Sequence, residues 1–126
     1  MKQPSFSHSL QIFPCPNMLE TAAYYEKLGF RADPYLSGSD PHIRLYRDLI
    51  ELMLTQSALK RIFPNRKQYG YGYDAYFITD QQAAMQQQLV EKGVAIVQPL
   101  VVTDYGNKLF VFEDIDERWI AVGSKR

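Results

Sequence analysis

The sequence predicts an α+β fold in which one β-α-β-β-β unit is written twice. Three observations carry this: two capped helical segments of nearly equal length, their offset by half the chain, and the same series of strand-like runs after each. The segments run from Asn17 to Gly29 and from Asp80 to Gly93, and their caps stand 63 positions apart in 126 residues. A chain of this length makes one domain, 1–126, with a real core. Module one covers about 6–56, a connector about 57–72, and module two about 73–126.

In the first module, "LQIFPC" (10–15) reads as a short strand closed by Pro14 and Pro16. Asn17 is a helix N-cap, with Glu20 completing a capping-box-like pair. Met18, Thr21, Ala22, Tyr25 and Leu28 form one helical stripe, and Gly29 stops it. Strands are predicted over 30–36, 42–47 and 49–55, with a loop at "SGSDP" and a tight connection at Arg47-Asp48. In the second, "YDAYFIT" (73–79) is a strand, Asp80 caps a helix whose inward pair is Met85 and Leu89, and strands follow over 94–98, 108–113 and 118–122. "DIDE" turns the last hairpin. Each module is a four-stranded sheet with a helix on one face. The free faces curl, and two modules together make a cup, the default shape of a ligand site.

Composition narrows the function. Lys plus Arg and Asp plus Glu both number 14, so whole-chain charge gives no case for nucleic acid or an anionic membrane. The clustered cations Lys60, Arg61, Arg66 and Lys67 read as a solvated connector. The one cysteine, Cys15, cannot form an internal disulfide and, adjoining Pro14 and Pro16, reads as a buried inert thiol in a reducing, cytoplasmic setting. No stretch has the length or apolarity of a membrane span or secretory leader. Neither a nucleophile turn nor a glycine-rich phosphate loop is present. Tyr69, Tyr71 and Tyr73, interleaved with Gly70 and Gly72, read as a mobile loop, and His42 as a solvent-facing residue at a strand start.

The runs "PNMLETAAYYEKLGF" (16–30), "LIELML" (49–54) and "FVFEDIDERWIAV" (110–122) resemble the vicinal oxygen chelate superfamily, which holds the glyoxalase I, bleomycin-resistance and extradiol dioxygenase proteins. The resemblance covers the whole chain in order, and is nearest in look to the bleomycin-resistance branch. It departs at the last turn, where Asp114-Ile115-Asp116-Glu117 stands in place of the family's Asp-Pro-Asp-Gly. The resemblance implies a fold of two such modules around a cup, a homodimer, and, in metal-dependent members, four ligands from the first and last strand of each module. Those positions fall here on Leu10, Glu51, Asp74 and Ala121. Leu and Ala coordinate nothing, and a catalytic divalent ion usually needs three protein donors. No cofactor is therefore expected.

Strand alternation sends Glu51 and Met53 to the cup, with Ile50, Leu52 and Leu54 on the helix side. The same parity places Arg44, Tyr46, Asp74, Tyr76, Ile78 and Trp119 inward. Glu51, Asp74, Arg44, Tyr46, Tyr76, Trp119 and Met53 are the candidate ligand-binding residues, and none has an assigned catalytic role. A two-residue slip of register would bring His8 to Glu51 and Asp74 and give a metal set, although an exposed His8 is the common outcome. Three functions are compatible with these residues. One is a metal-independent small-molecule binder, its ligand drug-like and of the cationic aromatic bleomycin type. Another is a metal-dependent lyase or dioxygenase. The third is a non-catalytic dimeric interaction module whose cup Arg44 locks.

Overall fold

The computed structural model describes residues 3–125. Asn17 Oδ1 accepts the Glu20 backbone N–H at 3.2 Å, opening helix α1 (Met18–Lys27) as its capping residue should. The stripe Met18, Thr21, Ala22, Tyr25 and Leu28 is buried, and Gly29 leaves the helix in the left-handed region that a side chain disfavours. Around it lie β1 (Gln11–Cys15), β2 (Arg31–Tyr35), β3 (His42–Arg47) and β4 (Ile50–Gln56). They form one sheet in the order β1-β4-β3-β2. β1 runs parallel to β4, and the other pairs are antiparallel. Pro34 sits on the edge strand β2, where a missing N–H costs no ladder bond.

The second half repeats the plan. After a short helix α2 (Asn65–Tyr69) come β5 (Ala75–Ile78), α3 (Gln82–Glu91), β6 (Ala95–Val102), β7 (Lys108–Glu113) and β8 (Trp119–Gly123). Their sheet order is β5-β8-β7-β6, again with one parallel pair. The chain is thus two tandem β-α-β-β-β modules with two mixed sheets, as the repeat predicts.

Three local readings are corrected. Asp80 does not cap α3. The capping residue is Gln81, without a side-chain cap bond, and Thr79 Oγ1 takes the Gln81 N–H instead. β6 extends to Val102, past the predicted end at 98, because register shifts around Pro99 absorb the residue that cannot donate. The connector contains α2, running from Pro64 to a left-handed Gly70.

The helix-facing sides of both sheets share one core. Phe13, Leu45, Leu52 and Leu54 of the first module join Phe77, Phe110, Phe112 and Ile120 of the second, and Phe30 meets Phe77 with ring centroids 6.2 Å apart. Polar groups join the halves as well. Arg118, fully buried, donates to Asp114 Oδ2 at 2.9 Å and Asp116 Oδ2 at 3.0 Å, and reaches the Pro14 carbonyl of β1. From α1, Tyr25 Oη donates to Asp114 at 2.7 Å and Thr21 Oγ1 to Asp116 at 2.6 Å. Burial alone would lower the Arg118 pKa, but the Asp114 carboxylate overcomes it and raises the value. Burial, reinforced by Asp114, likewise holds the Tyr25 hydroxyl neutral, well above its usual range. The hairpin turn that ends in this cluster takes its left-handed backbone at Glu117 (φ +70), the place of the missing glycine. No helix among the described residues is long and apolar enough to cross a membrane.

Candidate functional site

On the concave face of the first sheet, the two-residue turn at Asp48-Leu49 fixes the register of β3 against β4. Tyr46 falls opposite Glu51, and Arg44 opposite Met53, which in turn faces Ile12 of β1. Arg44 and Glu51 are therefore diagonal neighbours, within reach of a long side chain. Arg44 Nη1 donates to Glu51 Oε1 at 2.9 Å, and His8 Nε2–H donates to Glu51 Oε2 at 3.0 Å. The Glu51 side chain keeps only 15% of its surface in water. The carboxylate in "LIELML" is thus buried as a bonded ion, held from two sides. Arg31 stacks over the Tyr46 ring at 4.7 Å, so this face alternates charge with ring and aliphatic surface.

Asp74 sits in a different neighbourhood. It lines a cavity of about 390 Å³ between β1 and the connector, together with Ile12, Pro14, Arg61, Phe63 and Asn65. Its Oδ1 accepts the Asn65 backbone N–H at 3.2 Å. Among the described residues, Arg44 pairs with Glu51 and not with Asp74. Among the described residues, two buried side-chain atoms lack a hydrogen-bond partner, Arg44 Nε and Asp74 Oδ2.

The concave face of the second sheet is closed by its own side chains. Leu109, Val111 and Ala121 are sealed from water, with Trp119 packed against them. Trp119 Nε1 donates to Glu113 Oε1 at 3.0 Å. Arg66 of α2 stacks over the indole at 4.3 Å and also approaches Glu113 at 3.5 Å. Next to it Lys67 bonds Glu117 at 2.6 Å; that hydrogen bond, with the attraction of the ammonium, lowers the Glu117 carboxyl pKa. Tyr76 lies over Gly123, where an added Cβ would stand 2.5 Å from its hydroxyl and 2.8 Å from Leu109 Cβ. With that space free, Tyr76 Oη donates to the Ser124 carbonyl at 2.9 Å and accepts from Asn107 Nδ2 at 2.7 Å.

The sequence-predicted residues therefore fall into three groups. Glu51, Arg44, Met53 and Tyr46 come together on the first sheet, and His8 joins them. Asp74 lies beneath the connector. Trp119 and Tyr76 are fixed within the second sheet. Arg66 was read as solvated and is not, since its side chain is 15% exposed. Its signal was Pro64 and Gly70 bracketing a five-residue helix. For Arg118 the local signal is Asp114 and Asp116, four and two residues before it, whereas its bond to the Pro14 carbonyl of β1 and the cover that α1 gives the turn leave none.

The divalent metal that the sequence resemblance implies for metal-dependent members does not fit this donor set. Leu10 and Ala121 have no donor atoms, and both Glu51 oxygens are engaged by cationic or N–H donors. Among the described residues, no three His, Cys, Asp or Glu side chains gather in a way that could hold an ion.

No family model and no curated protein sequence matches the chain. Solved structures do. UcmS2 superposes with a TM-score of 0.74 at 19% identity, over 95% of this chain and 100% of the other. The bleomycin resistance determinant encoded on transposon Tn5 gives 0.72 at 16%, over 94% and 98%. A bleomycin-binding protein complexed with bleomycin gives 0.72 at 16%, over 96% and 100%. This is the vicinal oxygen chelate fold. At such identities the match is one of architecture, and within that fold the chain's own residues decide the chemistry.

Proposed function

We propose that the chain is a metal-independent, non-catalytic binder of a small molecule that carries flat rings and positive charge. The pair of orphaned atoms supports this reading best. Arg44 Nε is a buried donor on the concave face of the first sheet and Asp74 Oδ2 a buried acceptor in the cavity beneath the connector, and Ile12 borders both places. An unsatisfied buried polar atom costs about 1–3 kcal/mol, which complementary groups on a ligand would offset. Asp74 favours a cation, Glu51 being already paired with Arg44 and His8, while Tyr46, Met53 and exposed Ile12 offer apolar and ring surface. Architectural likeness to a protein complexed with bleomycin adds support. A homodimer and a cytoplasmic location belong to the same proposal.

Calorimetry of chelator-treated protein with bleomycin, read in parallel with Trp119 fluorescence, tests it. Saturable binding is expected, weakened about tenfold by Asp74→Asn. No heat and no fluorescence change at high ligand overturns the reading. A metal-dependent enzyme remains a second reading because His8 and Glu51 already form a histidine–carboxylate pair 3.0 Å apart. Stoichiometric Ni, Zn, Mn or Fe retained by the purified protein would replace the first reading with this one. An interaction module whose cup is locked by Arg44 predicts that Arg44→Ala unfolds the protein, whereas the binder predicts a folded variant of altered affinity.

A further inference from the structure

A second cavity lies at the seam where the two modules share their core, and none of the candidate ligand-binding residues lines it. It measures about 290 Å³, and its floor is made by Leu28, Phe77, Leu89, Phe112 and Val122, with Met85 on one side. These residues come from both halves of the chain: the end of α1, β5, α3, β7 and β8. The floor is deep, since Leu28, Leu89, Phe112 and Val122 are each at most 4% exposed. The mouth is apolar and wet. Leu49 on the β3–β4 turn is 100% exposed and Ile78 is 55% exposed. Both line the opening.

We infer that this seam is a binding site for a compact, uncharged, apolar molecule of one ring or a short branched chain. Size sets the upper limit. An apolar cavity of about 150 Å³ is enough to hold benzene, and about 300 Å³ is the lower end for ligand pockets. A helix or an extended peptide does not enter. The rim sets the charge. Arg47, the cation at the mouth, is already engaged: Nη1 donates to the Leu28 carbonyl at 2.6 Å, Nη2 to Gln88 Oε1 at 2.8 Å, and Nε lies 3.7 Å from Asp48. Thr79 is engaged as well, its hydroxyl by the Gln81 N–H and its carbonyl by Gln82 Nε2. A carboxylate entering here would lose its hydration and find Arg47 and Thr79 already engaged, and an ammonium would meet only Asp48 at the rim, whose carboxylate stands in water beside Arg47. A neutral ring loses nothing of that kind and covers Leu49 and Ile78, which otherwise stand in water. This site is independent of the concave surface and does not rest on the function proposed for it.

Toluene is the probe, with benzoate and benzylammonium as charged controls of the same ring. In full-length protein carrying ¹³C-methyl Met and Leu, toluene is expected to shift the Met85 and Leu89 methyl resonances saturably and leave Met53 unmoved. The charged analogues are expected to bind at least tenfold more weakly. Met85→Trp, which places an indole in the seam, should abolish the toluene response while near-ultraviolet circular dichroism stays native. If that variant does not fold, Ile78→Trp at the exposed rim takes its place. The inference is overturned by an absence of saturable shifts up to the solubility of toluene, by shifts at Met53 instead, by equal binding of the charged rings, or by undiminished binding to the folded tryptophan variant.

Discussion

On the first sheet the central concave rows of β3 and β4 hold Arg44, Glu51 and Met53, all in partial contact with water, whereas the matching rows of β7 and β8 hold Leu109, Val111 and Ala121, each at most 2% exposed. The same fold unit and the same strand parity thus give one open face and one closed face. Parity decides which side chains point inward. Whether the face stays accessible depends on what lies across it, and on the second sheet that is Trp119 beneath Arg66, with Tyr76 laid over Gly123. The repeat supplies two equivalent surfaces, and only the first leaves its central side chains partly in water.

Substitutions should separate the faces by their cost. Leu109→Ala removes a sealed side chain and is expected to lose about 2–5 kcal/mol of unfolding free energy in urea titration. Met53→Ala, at a comparable position on the open face, should lose about 1 kcal/mol or less. Equal losses would erase the distinction. Gly123→Ala should cost about 1–3 kcal/mol, since Leu109 Cβ cannot retreat as the Tyr76 hydroxyl can. Its thermal melt relative to the parent checks this. Arg66→Ala should cost about 1 kcal/mol by removing the stacked guanidinium, and should move the emission of Trp119, the chain's single tryptophan, to longer wavelength as water reaches the indole. An unmoved spectrum would mean that the second face is closed without Arg66. The smallest effect is alkaline. Burial raises the Cys15 thiol above its ordinary value of 9.0, with Arg118 only partly opposing it. A group whose pKa is higher folded than unfolded contributes stability that is intact below the unfolded value and falls away as pH rises through the folded one. Cys15→Ala should therefore flatten the decline in stability above about pH 9.

The repeat, the α1 cap and the strand faces were readable because they depend on near neighbours: Asn17 to Glu20, alternation along "LIELML", Gly29 after an apolar stripe. Asp80 misled because an acidic residue before a helix matches the cap signal equally well one position early. What escaped was long-range. Nothing local to "NRKQY" says that Arg66 finds an indole some fifty positions later, and nothing in "DIDER" says that α1 covers the turn. The His8–Glu51 bond depends on the path of the segment before β1, which parity does not govern. Alternation sends Asp74 inward, but the connector that roofs it leaves no periodic trace in the sequence.

The guanidinium of Arg118 holds a carbonyl from the front of the chain and two carboxylates from its end. A peptide comprising only residues beyond the connector would bury that positive group with one anchor gone, and a peptide comprising only the earlier residues would leave the hydroxyls of Tyr25 and Thr21 without the carboxylates they bond. Protease nicking between Ser57 and Gly72 should consequently yield two fragments that migrate as a single species on a sizing column and part only in denaturant. Repetition of the fold unit does not make either half a free-standing piece.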